Sequence, residues 1–188
     1  MKQAQVLTDK DCKRVMAQVA RSAFPERNRC AMQLSWLAGM RVGEIAALSI
    51  GDVVDAEGKV REQIQLTAAQ TKGDSARTVL LNAQAQAELS IYLQKLKQPK
   101  PSDPLFCSRV GKRFSANSLC QVFLRIYDAA GLDRATSHSG RRTFITTLAH
   151  KGVSVRVLAE LAGHRSIATT QRYIELNENV LRAAVELV

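Results

Sequence analysis

Four short stretches of the sequence carry side chains suited to chemistry on a phosphodiester. Guanidinium groups match the non-bridging oxygens of a phosphate through paired hydrogen bonds, and they stabilise the charge that develops in the transition state. A tyrosine hydroxyl can act as the nucleophile at such a centre. The stretches are GMRVGEI with Arg41, TKGDSART with Lys72, HSGRRTF with His138 and Arg141, and GHRSIATTQRY with His164 and Tyr173. Together the six side chains indicate phosphoryl transfer through a covalent intermediate.

Each of these residues also has a structural explanation when it is taken alone. Arg41 could form an ion pair with Glu44, three positions on, and Lys72 could be an ordinary turn lysine. His138 could cap the helix expected to begin near residue 140, where backbone amides lack partners. Tyr173 could bury its ring in the core. The order and context of the whole set, rather than any single residue, favour a shared site.

The elements that must position these residues are mostly helices. Thr8 followed by Asp11 resembles a capping box and predicts that a first helix starts there. Pro25 is expected to interrupt the chain before a second, apolar helix. Gly163 is expected to end a helix so that His164 faces the site, and the next short helix would deliver Tyr173 to the same point. Helices after the first are predicted over residues 30–40, 43–48, 83–97, around 119–127, and over 140–150, 153–162 and 167–174.

One region has the alternation of a strand pair. Ile64 and Leu66 alternate with glutamines, and the segment RTVLL follows a polar stretch. This pattern predicts a small antiparallel hairpin with Lys72, next to Gly73, on its exposed turn. The segment QPKPSDP holds three of the four prolines and predicts a loop. The predicted fold class is α+β, mainly α-helical with one small antiparallel β-sheet, in a single domain over residues 1–188.

Composition and charge limit the classes of partner. The 188 residues include 27 Lys and Arg against 17 Asp and Glu, a net charge of +10, which favours a nucleic acid over an anionic membrane surface. The four cysteines have no metal-site spacing and are interpreted as reduced, packed thiols. No signal segment or membrane span is evident. We therefore expect a cytoplasmic protein that needs no cofactor or metal.

With these motifs in order, the chain resembles the catalytic domain of the tyrosine recombinases, which include phage integrases, Xer recombinases and fimbrial inversion recombinases. The resemblance extends from about Leu7 to the carboxy terminus. It implies a site-specific DNA recombinase that cleaves and rejoins strands through a 3′-phosphotyrosine, without ATP or a metal ion. It further implies double-stranded DNA as partner, a homo-oligomer (dimer or tetramer) on that DNA, and possible DNA-bending accessory proteins.

The resemblance also implies a role for each motif residue. Arg41 and Arg141 would clamp the scissile phosphate, and His138 and His164 would donate further hydrogen bonds. Tyr173 would attack the phosphorus while Lys72 protonates the departing 5′ oxygen. His138 is also the candidate base for the phenol, whose ordinary pKa of about 10 leaves it protonated at neutral pH. In addition, Glu44 would support the arginine motif without taking part in the reaction.

The resemblance leaves three points open. Relatives usually carry a separate amino-terminal domain that completes a clamp around DNA, so this chain is expected either to be a compact, catalytic-domain-only member or to be a fragment. Residues 177–188 form a candidate docking helix for a neighbouring protomer, with packing inside the same chain as the alternative. Arg113, Asn117 and Arg125 are candidate DNA contacts by analogy, or solvated surface residues.

Two other functions are compatible with the same residues. One is a DNA-binding regulator or accessory protein that keeps the fold without recombining, although such a protein would have no reason to retain all six residues. The other is a topoisomerase-like enzyme of the type IB class, which would relax supercoils without strand exchange.

Overall fold

The protein is mainly helical with one small sheet, which confirms the predicted fold class. A computed structural model describes residues 4–71, 75–173, 182, 185 and 186. In this part of the chain the elements are α1 (Asp9–Ala20), α2 (Pro25–Leu37), α3 (Val42–Ala47), α4 (Ile50–Val53), β1 (Gln63–Leu66), a 3₁₀ turn (Ala68–Gln70), β2 (Arg77–Leu80), α5 (Ala83–Leu93), α6 (Ala116–Ala129), α7 (Ser139–His150), α8 (Val155–Ala162) and α9 (Ile167–Gln171).

The first two helices begin at residues whose chemistry suits a helix start. Asp11 N donates to Thr8 Oγ1 over 3.2 Å and Thr8 N donates to Asp11 Oδ2 over 3.0 Å, so the predicted capping box is confirmed. The predicted break between the first two helices is present, but α2 begins at Pro25 itself instead of at the predicted residue 30. The fixed φ of proline suits the first turn of a helix, where its missing N–H has no intrahelical partner to lose.

Helix α2 is the centre of the hydrophobic core. It packs against α1, α3, α5 and α7. Its residues Cys30, Ala31, Met32 and Leu34 are consecutive or nearly so, and all are buried. A helix surrounded in this way shows no one-sided apolar stripe, which explains why its bounds were hard to predict. It ends at Leu37, earlier than the predicted residue 40, because Gly39 adopts a left-handed φ of +61°.

The predicted hairpin is confirmed, with β1 and β2 antiparallel and Ile64 paired with Val79. Leu66 is paired with Arg77, and the apolar residues Ile64, Leu66 and Val79 are buried. Side chains two residues apart on a strand share a face, so Arg77 lies on the same, buried side as Val79. The tip of the hairpin, residues 72–74, and with it the predicted position of Lys72, lies outside the described residues.

Between α5 and α6 the chain runs as a loop that holds the end of α3. Helix α5 stops at Leu93, before the predicted residue 97. Leu105 N donates to the Leu48 carbonyl over 2.9 Å, and Ile50 N donates to the Asp103 carbonyl over 2.9 Å. The proline-rich segment is therefore a loop, as predicted, but it is fixed to the body of the protein.

The end of the described chain departs from the prediction in one respect. Helix α9 ends at Gln171, so Tyr173 follows the helix instead of lying inside it. Of the candidate docking helix, residues 177–188, all but 182, 185 and 186 lie outside the described residues. None of the helices in the described ranges has the length and apolarity that crossing a bilayer requires. The four cysteines are free, and Cys30 is buried.

Candidate phosphate site

A buried carboxylate organises two arginines at the start of α3. Each oxygen of Glu44, which is 1% exposed, accepts one hydrogen bond from Arg41 and one from Arg77. Arg41 contributes Nη1 at 2.7 Å and its backbone N at 2.8 Å, and Arg77 contributes Nη2 at 2.7 Å and Nε at 3.1 Å. Burial alone would raise the pKa of Glu44, but the bonds and charges of Arg77 and Arg41 outweigh it and lower that pKa. Glu44 is therefore ionised and is hydrogen-bonded to both arginines.

The carboxyl end of α8 supplies the acceptors for the remaining guanidinium donors. The last carbonyls of a helix have no partner within the helix and lie at the negative end of its dipole. Here three successive carbonyls each accept from a different arginine: Leu161 O from Arg77, Ala162 O from Arg141 and Gly163 O from Arg41. Cations at this position are stabilised by both the hydrogen bonds and the dipole, which brings three positive charges together on one helix end.

Gly163 makes this arrangement possible through its backbone. It ends α8 in the left-handed conformation, with φ +60° and ψ 47°, which confirms the predicted helix end. A Cβ at this position would lie 2.6 Å from Cδ of Arg77. Glycine therefore provides both the turn and the space for the arginine side chain.

Arg141 is the most buried cation of the group. It is 3% exposed and donates Nη1 to the Gly39 carbonyl over 2.7 Å, besides its bond to Ala162. Burial, followed by the charges of Arg41 and Arg77, lowers the pKa of Arg141 to about 9. The group stays protonated at neutral pH, so a cation is held in an environment that disfavours it. An anion bound beside it would relieve that cost.

His164 is neutral at physiological pH. Burial, and then the positive charges of Arg141, Arg41 and Arg77, lower its pKa to about 4. Its Nδ1 lies 2.8 Å from Oγ1 of the fully buried Thr170. A neutral imidazole that accepts from this hydroxyl carries its proton on Nε2, where it can donate to a ligand.

Tyr173 lies directly against this cluster. Its ring stacks on His164 with centroids 5.7 Å apart and planes at 19°, and the Arg142 guanidinium lies 5.6 Å from the ring centroid. Its backbone N donates to the Thr170 carbonyl over 2.9 Å. Thr170 therefore contacts both His164 and the turn that carries Tyr173. The tyrosine is half-buried beside the cluster and is not among the buried residues of the described core.

The cluster borders a cavity of about 500 Å³. Arg41, Arg77 and His164 line it, together with Thr71 and Ser75. Thr71 and Ser75 are the described residues on either side of the segment that contains Lys72. The charged side chains among the described lining residues are Arg41, Arg77 and Arg165 against Glu160. The described part of the cavity wall thus has surplus positive charge and suits a phosphate.

The other described residues that were predicted lie on or just before α6 and at the start of α7. His138 occupies the N-cap position of α7, is exposed, and makes no capping hydrogen bond with its side chain. Asn117 and Arg125 are exposed on α6, whereas Arg113 already donates to the carbonyls of Ala47 and Leu48 over 2.7 Å and to Ser49 Oγ over 2.8 Å. The described residues therefore assign Arg113 a structural contact at the end of α3.

Arg77 is the site residue that the sequence analysis missed. The signal was present in the alternation of β2, because an arginine two positions before the buried Val79 must lie on the buried face. A buried guanidinium requires hydrogen-bond acceptors, and a carboxylate also balances its charge. Glu44, which already stood out, was the available one.

Among the residues that the structure covers, no three His, Cys, Asp or Glu side chains are grouped so as to hold a metal ion.

Comparison with known proteins agrees with this geometry. Residues 5–179 match the phage integrase family. The tyrosine recombinase XerD of Corynebacterium glutamicum is 32% identical over 160 residues, which are 83% of this chain and 50% of that protein. The crystal structure of XerA recombinase superposes with a TM-score of 0.76 at 26% identity, over 98% of this chain and 66% of the other.

A DNA-bound structure is also similar. The XerH site-specific recombinase bound to its difH substrate, in a pre-cleavage complex, superposes with a TM-score of 0.72 at 26% identity and covers 98% of this chain and 55% of the other. The chain spans about half the length of the curated relatives that it matches.

Proposed function

The chain belongs to the phage integrase family, and from this premise we propose that it is a site-specific DNA recombinase that acts through a phosphotyrosine at Tyr173. The observation that carries the proposal is the surplus positive charge of Arg41, Arg77 and Arg141 beside a tyrosine stacked on His164. The relatives named tyrosine recombinases and the DNA-bound XerH structure support double-stranded DNA as the partner.

In the proposed reaction one phosphodiester is exchanged for another. The Tyr173 oxygen forms a bond to phosphorus as the bond from phosphorus to the 5′ oxygen breaks, so no external energy source is needed. Arg41 and Arg141 hold the non-bridging oxygens, and His164 donates from Nε2. We assign His138 as acceptor of the phenolic proton and Lys72 as donor to the 5′ oxygen, and attack by that oxygen reverses the step and rejoins a strand.

The nucleophile follows from a comparison of the three tyrosines of the chain. Tyr92 is buried and donates its hydroxyl to the Leu105 carbonyl over 3.0 Å. Tyr127 is buried and accepts from Nε1 of Trp36 over 3.3 Å. Burial raises the pKa of both phenols. Tyr173 is the remaining tyrosine, and it is half-buried and stacked on His164 beside the arginine cluster.

The proposal includes the setting in which the protein acts. We propose a cytoplasmic protein that forms a dimer or tetramer on DNA, with DNA-bending accessory proteins as further partners. Asn117 and Arg125, both exposed on α6, are candidates for DNA contact. Arg113 is exposed as well and stays a candidate, with its guanidinium also bonded to the end of α3.

The experiment is a denaturing gel of protein incubated with nicked duplexes from the flanks of its native locus. Wild-type protein should give a protease-sensitive shifted DNA band, and Tyr173→Phe protein should give none. Tyr92→Phe protein, which also loses one phenol hydroxyl, is the matched control and should give the band. An adduct formed by Tyr173→Phe protein would contradict the assignment. On supercoiled DNA, relaxation without strand exchange would favour the topoisomerase alternative.

A further inference from the structure

Arg77 connects three elements of the site through one side chain. It starts β2, and its guanidinium donates to both oxygens of Glu44 on α3 and, through Nη1, to the Leu161 carbonyl on α8 over 3.1 Å. Its side chain is 10% exposed. Nε and both Nη atoms each donate to the protein, so three of the five N–H groups of this arginine hold its neighbours.

The geometry of Glu44 shows which neighbour depends on Arg77. Because each carboxylate oxygen accepts one bond from Arg77 and one from Arg41, the two arginines fix the plane of the carboxylate together. Without Arg77, both oxygens lose one partner and the carboxylate can rotate. Rotation would shift the Nη1 atom of Arg41, which Glu44 holds at 2.7 Å.

A second contact reaches Arg41 through the backbone. Cδ of Arg77 packs against Gly163, where a Cβ would lie only 2.6 Å away. The carbonyl of Gly163 accepts from Arg41 Nη2 over 3.3 Å. Arg77 therefore restricts the position of Arg41 through two groups, the Glu44 carboxylate and the carboxyl end of α8.

We propose that Arg77 is a positioning residue that sets the Arg41 guanidinium for the scissile phosphate, an inference that rests on the proposed function. A lysine at this position keeps the charge but cannot form the paired bond to Glu44 or reach the Leu161 carbonyl at the same time. Arg77→Lys is therefore the variant that separates geometry from charge.

The matched control is Arg29→Lys. Arg29 also donates Nε and Nη2 to the two oxygens of a buried glutamate, Glu88, but on α2 and α5, away from the cavity. At saturating nicked duplex, Arg77→Lys should lower the rate of covalent adduct formation by roughly 10- to 100-fold while the Kd for the duplex changes less than about threefold. Arg29→Lys should change the rate less than about twofold. Equal, near-wild-type rates for both variants would overturn the proposal.

A double-mutant cycle tests whether the effect passes through Arg41. In an Arg41→Lys background, Arg77→Lys should cost less than about threefold further, because the group that it positions is already altered. The full loss in that background would show that Arg77 acts independently of Arg41 and would overturn the proposal. If Arg77→Lys protein does not fold, Arg77→Gln, which keeps an amide NH2 donor but removes the charge, replaces it, with Arg29→Gln as its matched control.

A crystal structure of the Arg77→Lys protein provides a readout without activity. The Arg41 guanidinium should leave its contacts with Glu44 and the Gly163 carbonyl, and an unchanged Arg41 would overturn the proposal. If wild-type protein forms no adduct on any duplex, the proposed function fails, while this structure still decides whether Arg77 positions Arg41.

Discussion

Glu44 and Glu88 are both buried glutamates that bind a guanidinium through two hydrogen bonds, but their surroundings differ in charge. Glu88 pairs with Arg29, whose side chain is 47% exposed, and hydrogen bonding to Glu88 raises the pKa of Arg29. Glu44 is shared by two arginines, and the buried Arg141 beside them has its pKa lowered to about 9. One pair is neutral overall, and in the other cluster three described arginines share one described carboxylate.

This difference separates a structural ion pair from a binding site. At Glu88 the arginine gains a partner and keeps contact with water, so the pair needs nothing more. At Glu44 the protein concentrates cations at a helix end and next to a cavity, where their mutual repulsion is relieved by an anion. Four predictions test this difference between the Glu88 ion pair and the Glu44 cluster.

The largest effect is expected on stability when the shared carboxylate is removed. Glu44→Gln places an amide N–H against guanidinium donors and leaves buried cations without a counter-ion, so the free energy of unfolding should fall by roughly 3–5 kcal/mol. Glu88→Gln should cost about 1 kcal/mol, because Arg29 can turn toward water. Urea denaturation of both variants gives the comparison, and equal losses would mean that the two glutamates are equivalent.

Next in size is the effect of Arg141→Lys on cleavage. A lysine cannot reach the Gly39 and Ala162 carbonyls and also present two donors to a phosphate, so the rate of adduct formation should fall by roughly 100- to 1,000-fold. The single-turnover rate on a nicked duplex measures it, with Arg29→Lys as the reference arginine substitution. A fall of less than about tenfold would remove Arg141 from the phosphate clamp.

A smaller effect is expected at the end of α8. Gly163→Ala combines a positive φ with a Cβ 2.6 Å from Arg77, whereas Gly152, with φ +80°, has open space around its Cα. Gly152→Ala should cost about 1 kcal/mol of unfolding free energy from the backbone alone, and Gly163→Ala should cost roughly 2–3 kcal/mol. Thermal denaturation compares them, and a larger cost at Gly152 would contradict the close packing of Arg77 on the helix end.

The smallest effect concerns pH. The folded-state pKa of His164 is about 4 against an ordinary value of 6.5, so the unfolded chain binds a proton at a higher pH than the folded one. The neutral ring therefore stabilises the fold above about pH 6.5, and that contribution is lost as the pH falls toward 4. Solvent at the half-buried ring limits the effect to roughly 1 kcal/mol.

The test of this pH dependence compares two histidine variants. In His164→Gln protein, the part of the acid destabilisation between pH 6.5 and 4 that comes from this ring should be absent. His150→Gln, at an exposed position, should keep the wild-type profile. Parallel profiles for wild-type and His164→Gln protein would show that burial and the arginine charges do not lower the pKa of this ring.

Local chemistry accounts for the parts of the fold that could be predicted from sequence. The Thr8–Asp11 capping box, the helix end at Gly163 and the alternation around Ile64 each specify their own structure within a few residues, and all three are confirmed. The predicted start of α2 was wrong because proline both interrupts helices and begins them. The predicted bounds of α2 were wrong because the sequence of a helix that is buried on several sides shows no helical periodicity of apolar residues.

The candidate site likewise contains residues that could be predicted from the sequence and residues that could not. Arg41, Arg141, His164 and Tyr173 were predicted as a set, and the structure brings them to one helix end. Arg77 was missed because its contact with Glu44 joins two segments that are distant in sequence, β2 and α3. The carbonyls of α8 could not be predicted either, since backbone acceptors carry no signal in the sequence.

The central claim is that Tyr173 becomes linked to DNA, and mass spectrometry of the adduct tests it most directly. Wild-type protein would be trapped on a nicked duplex and digested with nuclease and trypsin, which cleaves after arginine. The account predicts a nucleotide on the tyrosine of the peptide that spans residues 173–182. A nucleotide on Tyr92, Tyr127 or any other residue would contradict it.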